Sequence, residues 1–168
     1  MTVQELREQT CCFTGHRNVP GKDVDQILER VEILVRALVK KGVKCFGVGG
    51  AIGFDTLVAQ HLFWLRDIKH LNIKVILACP FDGFTSRWHQ DQQDTFEQML
   101  SHYDKVVYVS DRPSREAYLS RNRHLVDHSA YCIAYCTRNH GGTAYTVRYA
   151  MKNGVTVVNT ADYDVDIF

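Results

Sequence analysis

Six short, largely continuous apolar runs punctuate the sequence, at Thr10–Thr14, Val43–Phe46, Ile73–Cys79, Asp104–Val109, Tyr131–Cys136 and Val155–Asn159. Between them lie stretches of helical spacing. The clearest is Lys22–Lys41, where Val24, Ile27, Leu28, Val31, Leu34, Val35, Leu38 and Val39 follow the i, i+3, i+4, i+7 rule and Gly42 supplies the stop. Further helices are predicted from the glycine turn before Thr56 to about Lys69, and over Arg87–Leu100, Ser114–Asp127 and Gly142–Lys152. Strands with one wet face alternate apolar and polar residues, and these do not. Runs of this kind belong to strands buried on both faces, and their alternation with helices makes a parallel sheet covered on each side. The expected fold is α/β: a single doubly wound, mostly parallel sheet with helices on both faces, in one domain over residues 1–168 with its core at about 10–158.

One connection in this pattern is unusual. Gly47-Val48-Gly49-Gly50-Ala51-Ile52-Gly53-Phe54-Asp55 joins the second strand to a helix. Strand, glycine turn and helix let backbone N–H groups and a helix N-terminus close around an anion. Glycines admit positive φ and remove the Cβ atoms that would hold a phosphate off the main chain. No Gly-Lys-Ser/Thr follows, so this is not a Walker A loop. The alternative is a tight turn with no ligand.

Composition narrows the function classes. With 20 Lys+Arg against 19 Asp+Glu and no basic block, sequence-independent duplex binding gets no support, and nucleic acid is not an expected partner. No apolar run approaches the roughly 18 residues that a membrane span needs. The charged start, Met1 to Glu8, lacks the apolar region of a signal peptide, so a cytoplasmic location is expected. Six cysteines fall inside apolar runs without a C-x-x-C pair, which predicts reduced, mostly core thiols.

In parallel sheets ligands bind outside the carboxyl ends of the strands, where the strand order reverses. The residues there are Gly15, His16 and Arg17; Gly47 to Asp55; Pro80 and Phe81, with Arg87 and Trp88 nearby; and a second glycine turn, Thr137-Arg138-Asn139-His140-Gly141-Gly142-Thr143. Two glycine turns opening helices at one edge favour an anionic ligand. Arg17 suits bidentate phosphate binding or a surface carboxylate. Asp55 suits a ribose hydroxyl or the helix dipole. Phe81 and Trp88 suit a nucleobase or the rim of the core. His124 and His128, at i and i+4 beside Asp127, resemble a metal pair without a third ligand, so no metal is expected.

Taken in order, Cys12-Phe13-Thr14-Gly15-His16-Arg17, Gly49-Gly50-Ala51-Ile52-Gly53-Phe54-Asp55, Cys79-Pro80-Phe81, Arg121-Asn122 with Val126-Asp127, and Gly141-Gly142-Thr143 resemble the bacterial YpsA-like family of the SLOG superfamily. The resemblance covers about residues 10–158. It implies a Rossmann-like fold and a nucleotide or ADP-ribose-like ligand, with the superfamily's glycine turns at Gly49, Gly50 and Gly53 and at Gly141, Gly142 and Thr143. The strand-end residues and these motifs together give the candidate binding set Thr14, Gly15, His16, Arg17, Gly49, Gly50, Ala51, Gly53, Asp55, Pro80, Phe81, Trp88, Arg121, Asn122, Gly141, Gly142 and Thr143. Related superfamily members include DprA-type proteins and cytokinin-activating phosphoribohydrolases. The latter resemble Pro-Gly-Gly-x-Gly-Thr-x-x-Glu at the second turn, and here Thr146 stands where that glutamate falls.

Three functions follow as expectations. The first is a cytoplasmic nucleotide sensor, a homodimer by the commonest closed symmetry and coupled to a regulatory protein partner. The second is a hydrolase cleaving the N-glycosidic bond of a nucleoside monophosphate, with Asp55, Glu116 or Asp127 replacing the missing glutamate. The third is a single-stranded DNA-binding protein of DprA type.

Overall fold

The computed structural model describes residues 1–162. It contains one six-stranded sheet, every strand parallel to its neighbours, in the order β4-β3-β2-β1-β5-β6. The strands are β1 (Thr10–Gly15), β2 (Cys45–Val48), β3 (Lys74–Cys79), β4 (Lys105–Tyr108), β5 (Tyr131–Tyr135) and β6 (Thr156–Asn159). The chain steps outward from β1 to β4, then returns to the other side of β1 for β5 and β6. The reversal therefore lies between β1 and β5, whose register pairs Thr14 with Ala134 and Gly15 with Tyr135. A crevice opens beyond the carboxyl ends of those two strands, as such a reversal requires.

The helices are α1 (Val3–Glu8), α2 (Val24–Lys40), α3 (Phe54–Asp67), α4 (Gln90–Met99), α5 (Arg115–Asp127) and α6 (Gly142–Lys152). The predicted stripe on α2 buries Ile27, Val31, Leu34, Val35 and Leu38. Each such side chain contributes roughly 1.5–3 kcal/mol by leaving water. These residues join Phe13, Phe46, Phe54 and Leu62 in the larger apolar core on one face of the sheet. A smaller core on the other face unites Cys12, Cys132, Leu125, Val126 and Ala150, drawn from β1, β5, α5 and α6. Cys11, Cys12, Cys79 and Cys132 are buried as small apolar residues, while Cys45 and Cys136 are partly exposed.

Three local differences from the sequence reading have simple causes. The charged leader forms α1, fixed by a capping box in which Glu5 N–H donates to Thr2 Oγ1 at 3.1 Å and Thr2 N–H donates to Glu5 Oε2 at 2.6 Å. No residue of α1 is buried, so no apolar period announced it. The helix expected from Arg87 starts at Gln90, because Trp88 N–H is already committed to Thr85 O at 2.9 Å in a turn. On α5 the buried face includes Arg121 beside Ala117, Leu125 and Val126. Among the described residues no helix is long and apolar enough to cross a membrane.

Candidate functional site

A cavity of about 410 Å³ occupies the crevice between the ends of β1 and β5, roofed by α5 and the start of α6. It gathers eleven of the residues expected from sequence: Thr14, Gly15, His16 and Arg17 from the β1 end, Ala51 and Asp55 from the first glycine turn, Arg121 and Asn122 from α5, and Gly141, Gly142 and Thr143 from the second turn. Gly49, Gly50, Gly53, Pro80, Phe81 and Trp88 do not line it. Phe81 packs edge-on against Tyr118, with ring centroids 5.6 Å apart.

The two glycine turns differ in what surrounds them. In the first, φ is +73° at Gly50 and +83° at Gly53. A Cβ on Gly50 would stand 2.7 Å from Leu77, and one on Gly53 would run into the backbone of Arg17. The N-terminus of α3 is also engaged by protein: Phe54 N–H donates to His16 O at 3.1 Å, and Ala51 N–H to Asp55 Oδ2 at 3.3 Å. In the second turn, added Cβ atoms on Gly141 or Gly142 would meet nothing within 4 Å. Gly141, at φ +90°, provides no side-chain cap, and the first helical bond is Tyr145 N–H to Gly141 O at 3.0 Å. The N-terminus of α6 thus presents its first N–H groups at the cavity wall, where the positive end of the helix dipole favours an anion.

The buried charges stand on either side of Gly49: a Cβ there would lie 3.0 Å from both the Arg121 guanidinium and the Asp55 carboxylate. Arg121 is 5% exposed, donates to Gly49 O, and directs Nε to Asn122 Oδ1 at 2.8 Å. Asp55 is 7% exposed and its Oδ1 has no hydrogen-bond partner among the described residues. Burial pushes the Asp55 carboxyl up to about 6, opposed chiefly by Arg121. Arg17 is exposed at the rim.

His16 is 5% exposed and is held from both sides. Thr137 N–H donates to Nε2 at 2.8 Å, while Arg138 Nη2 lies 3.2 Å from Nδ1. Burial, then the Arg138 charge, hold the imidazole below its ordinary value, so the ring is neutral at pH 7. A neutral ring that accepts at Nε2 carries its proton on Nδ1. Two donors therefore face one another at the mouth of α6 with no acceptor between them.

Sequence reasoning omitted Asn18, Tyr118 and Leu119, which also line the cavity. Arg138 and His140, read from the sequence only as part of the second glycine turn, line it as well. Tyr118 and Leu119 share the face of α5 that carries Arg121 and Asn122, visible only once that face is known. Thr146 is 3% exposed and donates its hydroxyl to Gly142 O at 2.9 Å. The rings of His124 and His128 lie tilted against one another with centroids 4.2 Å apart, and among the described residues no group of three or more His, Cys, Asp or Glu is placed to hold a metal.

Comparison with known proteins places this arrangement. The chain is 29% identical over 140 residues to the uncharacterized SPbeta prophage-derived protein YoqJ of Bacillus subtilis, covering 76% of this chain and 80% of that one. A UPF0398 protein of Bacillus velezensis is 23% identical over 133 residues, covering 77% and 72%. Among solved structures, DNA processing protein A from Helicobacter pylori, described for its single-stranded DNA binding mode, superposes with a TM-score of 0.62 at 17% identity, covering 92% of this chain and 66% of that one. DprA from Streptococcus pneumoniae superposes with a TM-score of 0.62 at 16% identity, covering 88% and 48%. This chain therefore spans less than two thirds of either DprA chain, and the likeness is one of fold. The YpsA model, described as the YspA SLOG family, matches residues 12–167, and the chain belongs to that family.

Proposed function

We propose that the chain binds a nucleotide or nucleotide-derived ligand, phosphate end in the crevice between β1 and β5, and acts as a cytoplasmic sensor whose loaded state a protein partner reads. The observation that carries this reading is the pair of facing donors, His16 Nδ1–H and Arg138 Nη2, 3.2 Å apart beside the open N-terminus of α6. Donors that converge without an acceptor are stabilised when an anionic oxygen binds beside them, within reach of both. The unpartnered Oδ1 of Asp55 in the same cavity would accept from a ribose hydroxyl. Exposed Ile33, Trp64, Ile68 and Met151 are compatible with a homodimer.

The test is calorimetric titration of the protein with nucleoside 5′-monophosphates, in parallel with Arg138→Gln. Arg138 is exposed, so the substitution leaves the fold intact. The expected loss is about tenfold to a hundredfold in affinity, the scale of a charge-assisted hydrogen bond to phosphate. If no nucleoside phosphate binds the unaltered protein, or Arg138→Gln binds as tightly, the reading is wrong.

Asp55 favours a second reading. A buried carboxyl poised near 6 inside a cavity has the protonation behaviour of a general acid or base. Thr146, tied to Gly142, supplies no carboxylate where phosphoribohydrolases resemble one another. Release of free base from a nucleoside monophosphate, lost in Asp55→Asn while binding persists, would establish the hydrolase over the sensor.

A further inference from the structure

Arg17 and Asn18 line two cavities. Besides the crevice just described, they border a second space of about 430 Å³ between the first glycine turn and α4. The dividing ridge is built into the fold. The backbone of Arg17 rests where a side chain on residue 53 would be, and His16 O accepts from Phe54 N–H at 3.1 Å. Each cavity alone sits near the lower end of the roughly 300–1,000 Å³ spanned by ligand pockets, and the two together fall well within it.

The two spaces differ in chemistry. The first combines the α6 N-terminus with Arg121 and Arg138. The second is walled by Trp88, Phe96 and Val24, with Asp91 and Gln92 at its edge. The Asp91 carboxylate and the Asn18 amide make no side-chain hydrogen bond or ion pair among the described residues. A free carboxylate repels phosphate and accepts from N–H donors, while aromatic walls suit a flat ring.

We infer that the second cavity is a subsite for the heterocyclic base of the same ligand, which crosses the Arg17–Asn18 ridge with its phosphate in the crevice. The inference rests on the nucleotide reading and adds where the base goes and which residues receive it. Trp88 stacks on the ring, Asp91 accepts from its N–H groups, and Arg17 covers the sugar-phosphate link. Neither Trp88 nor Asp91 lines the phosphate crevice.

Fluorescence separates the two claims. The chain has two tryptophans, so Trp64→Phe leaves Trp88 as the sole reporter. This variant is titrated with GMP, AMP and ribose 5-phosphate. The expected result is quenching of Trp88 by both nucleotides, which bind at least about tenfold tighter than ribose 5-phosphate, the scale of one base stacked on an aromatic ring. Thr95→Phe and Val24→Phe, which fill the second cavity from α4 and from α2, are expected to remove that advantage and leave ribose 5-phosphate affinity unchanged. Equal affinity for nucleotide and ribose 5-phosphate without quenching overturns the base subsite and leaves the phosphate site standing. Binding of neither ligand overturns both. A single-stranded oligonucleotide that quenches Trp88 and outcompetes GMP by about a hundredfold also overturns it, assigning the cavity to a nucleic-acid strand.

Discussion

Asp55 shows what a site residue costs the fold that holds it. Burial raises its carboxyl to about 6, from an ordinary 3.8. The charged form is therefore disfavoured in the folded chain. Sites that raise a carboxyl in this way contribute stability that is complete below the unfolded pKa and lost as pH rises through the folded one. The shift corresponds to about 3 kcal/mol between pH 4 and pH 8. Asp55→Asn is accordingly expected to be more stable than the natural chain at pH 8, by about 1–3 kcal/mol, with the two converging near pH 4. Urea unfolding across that range measures it, and parallel stability curves would show that Asp55 ionises as an ordinary surface carboxylate. A ligand hydroxyl donating to Oδ1 would offset the same penalty.

Among the elements, the two glycine turns look alike in sequence and do different work. The first lets chain segments approach: Gly53 admits the Arg17 backbone, and Gly15 in β1 admits the ring of Phe54. The second leaves helix N–H groups uncovered. Gly53→Ala is expected to destabilise the fold by at least about 2 kcal/mol, from both the positive φ and the collision. Gly142→Pro should behave otherwise. Residue 142 is the first of α6, where proline is tolerated and only an N–H is lost. The expected outcome is an unchanged melting temperature with phosphate affinity lowered about tenfold, the scale of one hydrogen bond to a charged group; equal affinity would move the anion away from α6. Sequence made both turns visible, because glycines between an apolar run and a helical period stand out. It did not distinguish them, since the difference lies in what fills the space a Cβ would take: Leu77 and Arg17 in one case, nothing in the other. The strand and helix pattern was legible for the same reason that α1 was not, namely that burial writes a period into the sequence and an exposed helix does not. Arg121 escaped the apolar stripe of α5 because it is a charged residue on a buried face, and its motif, not its periodicity, brought it into the site.

For the whole molecule, net charge is what bears on nucleic acid. The sheet superposes on DNA processing protein A, described for binding single-stranded DNA, whereas this chain carries a net charge of only +1. Affinity for a phosphate backbone depends on neutralising several phosphates at once. The three arginines of the crevice cannot do so together, since Arg121 is buried and bonded to Gly49. An oligonucleotide of about 20 bases is expected to keep its electrophoretic mobility with this protein at low salt, where electrostatic binding is strongest; a retarded band would make the DprA likeness functional. The layout also bears on how such a protein can change over time. The wall of the crevice at His16 is backed by the packing itself: His16 meets Tyr135 edge-on with centroids 5.5 Å apart, and Tyr135 stacks on Phe54 at 6.0 Å. Around the mouth, Arg17, Asn18, Arg138 and His140 are all exposed and free of the core. A lineage could therefore alter the crevice's chemistry by rewriting four or so surface positions without redesigning the sheet beneath. Kin that share barely a quarter of their residues are then expected to keep the same vessel while differing at its mouth.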